Sequence, residues 1–128
     1  MSGWRPHQAE SGRREPRVRV DLAAVLAGRA PRPARVVDVS RIGCLLRSDA
    51  ALDGGAVVDL RFELPDGPVR TKARVAGASL DGDSLPDGRP LFLAGLEFLG
   101  LAAADDARLR HFIHDEAKRR RGAHTSAP

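Results

Sequence analysis

The fold class is decided by residues 57–75, which read VVDLRFELPDGPVRTKARV. Apolar and charged side chains alternate on both sides of the turn residues Pro65 to Pro68. A period of two is typical of a strand that buries one face, and Pro, Asp and Gly together mark a tight turn. The stretch therefore predicts a β-hairpin whose first strand buries Val58, Leu60, Phe62 and Leu64.

Similar patterns flank this hairpin on both sides. They predict strands from Arg17 to Leu22 (with Val18, Val20 and Leu22 on one face), Arg35 to Val39, Cys44 to Leu46, and Leu91 to Leu99. A loop rich in Gly, Asp and Pro is predicted from Gly77 to Pro90. Six short strands separated by turn signals favour an antiparallel β-barrel.

The pattern changes after Gly100, where apolar residues recur at helical spacing. Leu109, Phe112, Ile113 and Ala117 form one stripe, which predicts an amphipathic helix over residues 102 to about 121. Such a stripe must be buried, and the open end of a barrel offers a place for it. The predicted fold is all-β: a six-stranded antiparallel β-barrel with a C-terminal α-helix packed against it.

The length of 128 residues suits a single domain. We expect a flexible tail over residues 1–12, which includes Trp4, then the barrel domain with its helix over 13–121, and a second flexible tail over 122–128. The sequence has no apolar run near the ~18 residues of a membrane span and no apolar region typical of a secretory signal. With one cysteine, Cys44, these features predict a cytoplasmic protein.

Two polar motifs stand beside the predicted strands. Arg13-x-x-x-Arg17 precedes the first strand, and Asp38-Val39-Ser40-Arg41-Ile42-Gly43 joins the second strand to the third. Gly95-Leu96-Glu97-Phe98 lies in the last strand before the helix. In this order, over residues 13 to about 120, the sequence resembles the PilZ domain family, whose members bind the bacterial second messenger cyclic di-GMP.

The resemblance implies that Arg13, Arg17, Asp38, Ser40 and Gly43 bind the ligand. Arg14 and Arg41 are further candidates for phosphate contacts, with solvated surface as the alternative for each. The residue types suit a cyclic dinucleotide, because a guanidinium can pair with phosphate or with O6 and N7 of guanine. A carboxylate can accept from N1–H and N2–H₂ on the other guanine edge. The net charge of +4 also favours an anionic partner.

Some alternatives stay open at this point. Asp38, Ser40 and Gly43 could instead form a hairpin turn whose side chains bind local backbone. Many family members carry a basic residue just before the arginine motif, where this chain has Gly12, so one ligand or a stacked pair could bind. A degenerate PilZ module without nucleotide binding, or a small nucleic-acid-binding barrel, are the rival functions; the latter usually displays more aromatic residues.

No motif predicts catalysis or a cofactor. His111 and His114 are spaced for a metal but lack further ligands, and Cys44 is expected to be a small core residue. The sequence therefore predicts a non-enzymatic receptor. Cyclic di-GMP would order the segment up to Arg17, which is expected to be mobile without ligand, and so signal to an unidentified protein. Motility, polysaccharide and biofilm control are the outputs that the family implies.

Overall fold

The computed structural model describes residues 15–125. Every pair of neighbouring strands is antiparallel, and the ring closes where β1 pairs with β4, in the order β1-β2-β3-β6-β5-β4. The predicted fold class, a six-stranded antiparallel barrel with one C-terminal helix, is confirmed. The elements are β1 (Arg17–Ala27), β2 (Arg32–Ser40), β3 (Gly43–Ser48), β4 (Val57–Leu64), β5 (Gly67–Ser84), β6 (Pro90–Phe98) and α1 (Ala103–Thr125).

The β4–β5 hairpin has the predicted alternation of faces, but its turn is shorter than predicted, because Gly67 and Pro68 already pair with Leu64 and Glu63. Phe62 lies opposite Val69, and both are fully buried. The strands turn directly before Gly67, whose φ of 135° is a conformation that side-chain-bearing residues rarely adopt. The core of the barrel is mostly aliphatic, and its two buried aromatic rings, Phe62 and Phe98, stack with centroids 5.9 Å apart.

The prediction of a loop from Gly77 to Pro90 is wrong for most of that range. β5 continues to Ser84, and β6 begins at Pro90, so that Ala78 lies opposite Ala94 and Leu80 opposite Phe92. Gly and Asp have low strand propensity, but continuous pairing with β6 compensates for it here. The ladder is irregular after Val75 and again after Leu80.

Helix α1 covers the end of the barrel at which β1 begins, and it runs to Thr125 rather than to about 121. Leu109 and Ile113 are buried in the core, whereas Phe112 and Ala117 pack against it only in part. Within the described residues, no helix is long and apolar enough to cross a membrane.

Arg108 connects α1 to the β4–β5 turn by hydrogen bonds. Its guanidinium donates to the carboxylate of Asp66 at 2.9 Å and to the carbonyl oxygens of Gly67 at 2.7 Å and Pro68 at 3.0 Å. It also donates to Asp105 one turn earlier on the helix, at 2.8 Å. The hydrogen bond from Arg108 lowers the pKa of Asp66 below its ordinary value.

Candidate functional site

Antiparallel pairing of β1 with β2 brings the two polar motifs together at the end of the barrel near α1. Arg17 is the first residue of β1 and lies opposite Ser40, the last residue of β2. Asp38 and Ser40 are thus placed beside Arg17, and Gly43 begins β3 on the far side of the β2–β3 turn. Arg13 and Arg14, with Gly12 and Trp4, lie outside the described residues.

Arg17 and Asp38 bind each other. The Arg17 Nε donates to Asp38 Oδ1 at 2.9 Å, and the two side chains are 25% and 22% exposed. Sequence reasoning treated the arginine and the carboxylate as separate groups for different edges of guanine. The pair instead presents a guanidinium and a carboxylate side by side, held in one orientation at the rim of the barrel.

The sequence placed Arg17 in the segment that ligand would order. In the structure Arg17 is the first residue of β1, its backbone pairs with Ser40, and its side chain contacts Asp38.

The Ser40 hydroxyl is used by its own turn. It accepts a hydrogen bond from the Ile42 N–H at 3.2 Å and donates to the Gly43 carbonyl oxygen at 3.4 Å. Ser40 is only 4% exposed. This is the local turn role that the sequence left open, and it shapes the loop that carries Arg41.

Gly43 is required by the packing of two strands. A Cβ at this position would overlap the carbonyl oxygen of Leu96 on β6, the strand that pairs with β3. Sequence reasoning assigned the glycine to a close approach of a base or to a special turn. The observed close approach is that of the neighbouring strand.

Arg41 links the turn to two other parts of the molecule. Its guanidinium lies 3.7 Å from Glu15, just before β1, and 3.7 Å from Asp106 in the first turn of α1. Asp106 is also 3.6 Å from Arg110. The Arg41 Nε is buried without a hydrogen-bond partner in the described part of the chain. A buried donor without a partner is stabilised when an acceptor enters the site and binds it.

Sequence reasoning missed Glu15, Asp106 and Arg110 as neighbours of the site. No local signal in the sequence indicates that the helix carrying Asp106 would lie over the β2–β3 turn. Together with Pro16 and Arg41, residues of α1 that include Arg110 and His114 border a cleft of about 570 Å³. Pro16, which precedes Arg17 in the sequence, borders the cleft, and the lining combines the cationic Arg41 and Arg110 with the carboxylate of Glu15.

Cys44 lies next to this turn but inside the barrel. Burial raises the pKa of its thiol well above the ordinary value, and the nearby Asp38 carboxylate adds to the effect. A thiol in this environment stays protonated and is a poor nucleophile. Its predicted role as a small core residue is confirmed by its 1% exposure.

Comparison of the sequence with protein-family models finds one match, the PilZ domain, over residues 11–115. The match covers most of the chain, from the arginine motif through β6 and into α1. No curated protein matches the sequence.

Solved structures share the fold at low sequence identity. The PilZ domain of YcgR from Escherichia coli, with c-di-GMP, has a TM-score of 0.70 at 14% identity, covering 91% of this chain and 100% of that chain. The inhibitor of motility MotI/DgrA from Bacillus subtilis has a TM-score of 0.69 at 17% identity, with 85% and 53% covered. The complex of MrkH from K. pneumonia with c-di-GMP has a TM-score of 0.68 at 20% identity, with 84% and 55% covered. This chain therefore spans about half the length of the MotI and MrkH chains.

Proposed function

Because the chain belongs to the PilZ domain family, we propose that it is a receptor for cyclic di-GMP that acts by binding rather than by catalysis. The observation that carries the proposal is the Arg17–Asp38 pair, at 2.9 Å, on the rim formed by β1 and the β2–β3 turn. A guanidinium beside a carboxylate matches the acceptors and donors of a guanine nucleotide. The full-length similarity to the YcgR domain supports the same assignment.

Each site residue has a role in this proposal. Arg17 binds a phosphate oxygen or the O6 and N7 acceptors of guanine, and Asp38 accepts from N1–H and N2–H₂. Ser40 and Gly43 hold the turn in the shape that presents these groups. Arg13 and Arg14, which precede the described residues, supply a second basic arm. No metal or other cofactor is needed for this recognition.

Arg41 extends the proposed contacts toward the phosphates. Its two carboxylate neighbours are each 3.7 Å away, which is too long for a hydrogen bond. A phosphate oxygen at the cleft beside Pro16 would supply the acceptor that its buried Nε lacks. Binding would then draw together the residues before β1 and the β2–β3 turn.

In this proposal, signalling follows from the contact between Arg41 and a phosphate of the ligand. Ligand would order the segment from Arg13 to Pro16 against the turn and change the surface that a cytoplasmic partner protein meets. Motility, surface polysaccharide and biofilm formation are the processes in which such a partner is expected. The calorimetric titration described below also gives the number of bound ligands, one or a stacked pair.

One observation favours the rival function, a PilZ module that does not bind nucleotide. Ser40 and Gly43 serve the fold, and Arg17 and Asp38 neutralise each other, so the motif residues described here also have structural roles. A degenerate module would retain them for stability. Ligand titration separates the two functions.

Isothermal titration calorimetry with cyclic di-GMP tests the proposal directly. We expect micromolar or tighter binding, about 8 kcal/mol, and much weaker binding of GMP and single-stranded DNA. Arg17→Ala should weaken binding by about 2–4 kcal/mol, because a charged donor to the ligand is lost. A matched control is Arg35→Ala, which breaks the other β1–β2 ion pair, Arg35–Asp21 at 2.8 Å.

The control variant should bind like the wild type, since Arg35 lies on the exposed surface away from the rim. Absence of heat at roughly millimolar ligand, a binding energy near 4 kcal/mol, would support the degenerate module instead. Equal affinity of Arg17→Ala and wild type would reject the site while leaving the receptor function standing.

A further inference from the structure

The outer face of β4 and β5 places two arginines directly opposite each other. Arg61 on β4 pairs in register with Arg70 on β5, and both residues are exposed. Side chains at such positions have Cβ atoms about 5 Å apart, and like charges there destabilise a sheet. Nothing in the packing of the barrel requires this arrangement, because both side chains point away from the core.

Neighbouring cations on this face have counterions, but Arg70 does not. Arg61 pairs with Glu63 at 2.9 Å, and Lys72 pairs with Asp59 at 2.8 Å. In the described part of the chain, Arg70 makes no ion pair or hydrogen bond. The positive charge of Arg70 is therefore left for an external anion.

Arg70 also borders a cleft. The cleft has a volume of about 560 Å³ and lies between this face and the β1–β2 turn. Its apolar border includes Val25, Ala27 and Pro31, and its charged border includes Arg61, Arg70 and Lys72. β1 reaches both places: Arg17 is its first residue, whereas Val25 and Ala27 near its end border this cleft, so the cleft lies toward the other end of that strand from the Arg17–Asp38 pair.

We propose that this cleft, hereafter the β4–β5 cleft, docks an extended segment of a partner protein in which an acidic side chain stands next to an apolar one. The acidic side chain pairs with Arg70, and the apolar one lies against Val25 and Pro31. Charge complementarity at one position and an apolar border beside it are typical of protein interfaces.

The carboxylates on this face argue against a nucleic acid. Asp59 and Glu63 flank the cations on β4, and each would repel the evenly spaced phosphates of a polynucleotide. A protein segment can place a single carboxylate at Arg70 and keep neutral residues near Asp59 and Glu63. Docking here does not depend on cyclic di-GMP, because the cleft shares no lining residue with the Arg17–Asp38 site and lies toward the other end of β1.

The test is a titration of the ¹⁵N-labelled full-length protein with a blocked hexapeptide that has one glutamate next to a leucine and is otherwise neutral. We expect amide shifts at Arg61, Arg70 and Lys72, with affinity about tenfold lower in Arg70→Gln, or about 1.4 kcal/mol. Arg74→Gln is the matched control, because Arg74 is exposed on the same strand, outside the cleft, and already paired with Glu97. Its affinity for the peptide should equal that of the wild type.

A second variant, Arg70→Glu, separates docking from stability. It should abolish peptide binding and raise the thermal midpoint, because a carboxylate opposite Arg61 replaces a like charge. Equal peptide affinity of Arg70→Gln and wild type would overturn the proposal. So would tighter binding of single-stranded DNA or of phosphatidylglycerol vesicles at the same amides, or concentration-dependent shifts there that identify a second copy of this chain as the occupant.

Discussion

The carbonyl oxygen of Leu96 occupies the space that a side chain at position 43 would need. The glycine that ends the Asp-x-Ser-x-x-Gly motif is therefore fixed by strand packing before any ligand is considered. Ser40 has a comparable role, since its hydroxyl binds the backbone of Ile42 and Gly43. At the residue scale, two of the three defining residues of this motif shape the turn, and Asp38 is the one for which we propose a ligand contact.

Gly43→Ala should consequently destabilise the fold rather than only weaken binding. We expect a loss of about 1–3 kcal/mol, the usual range for an added methyl group in a tightly packed site. Urea unfolding followed by circular dichroism measures it. Gly54→Ala is the matched control, because no atom lies within 4 Å of a Cβ there. Equal stability of the two variants would contradict the packing role.

The sequence predicted which residues of the site meet but not how they meet. Arg17 and Asp38 are 21 positions apart, and the motifs alone do not give the register of β1 against β2. That register puts Asp38 opposite Arg19, diagonal to Arg17, and is interrupted by an irregularity between Arg19 and Leu22. The motifs alone cannot predict such a contact, because it depends on how the two strands pair.

At the scale of elements, strand boundaries were predicted best where alternation is strict. The β4 strand matches its predicted bounds, because a one-residue shift would move Leu60 and Phe62 out of the core. The far part of β5 was missed, because Gly77 and Gly82 carry no side-chain pattern. Its strand conformation comes from pairing with β6, which is a long-range property.

Helix α1 is held by an apolar stripe and by Arg108, and the two can be tested separately. Within the stripe, Leu109 is 0% exposed, whereas Phe112 packs only partly against the core. Leu109→Ala should therefore cost about 3–4 kcal/mol of unfolding free energy. Phe112→Ala should cost only about 1–2 kcal/mol, because its side chain is buried only in part. Chemical denaturation compares them, and the reverse order would contradict the observed packing.

The Arg108–Asp66 contact predicts a specific acid dependence. Because the Arg108 hydrogen bond lowers the pKa of Asp66, the ionised carboxylate is favoured in the folded state. The contribution of this carboxylate to stability is complete above the pKa of an aspartate in the unfolded chain, about 3.9. It is lost as the pH falls through the lower pKa of the folded state. Arg108→Gln should return the Asp66 pKa toward its ordinary value and reduce the loss of stability in acid.

Carbon-13 NMR titration of the aspartate carboxyl groups checks this prediction. Asp87 serves as an internal control, because backbone and side-chain hydrogen bonds from Arg89, far from α1, lower its pKa. The Asp87 titration should be the same in Arg108→Gln and wild type. An unchanged Asp66 titration in the variant would mean that the guanidinium does not hold the helix to the β4–β5 turn.

At the scale of the whole molecule, the end of the barrel at which we propose that ligand binds combines three parts of the chain. Glu15 precedes β1, Arg41 is in the β2–β3 turn, and Asp106 is in the first turn of α1; each carboxylate lies 3.7 Å from the Arg41 guanidinium. The barrel itself is a closed ring with a packed aliphatic core, which leaves little room for internal rearrangement. A ligand can therefore change this molecule most readily at the segment before β1.

Amide hydrogen exchange should locate that change. Exchange at Arg13 and Arg14 should slow markedly when cyclic di-GMP is added, because ligand contacts by their guanidinium groups offset the entropy of ordering the segment. Arg17 is already paired with Ser40 in β1 and should change less. The amides from Val58 to Phe62, inside the β4 ladder, should barely change and serve as the internal control. Equal protection of Arg13 and Arg14 in both states would make the arginine segment a preformed wall of the site, and the signal would then have to reach a partner through another surface.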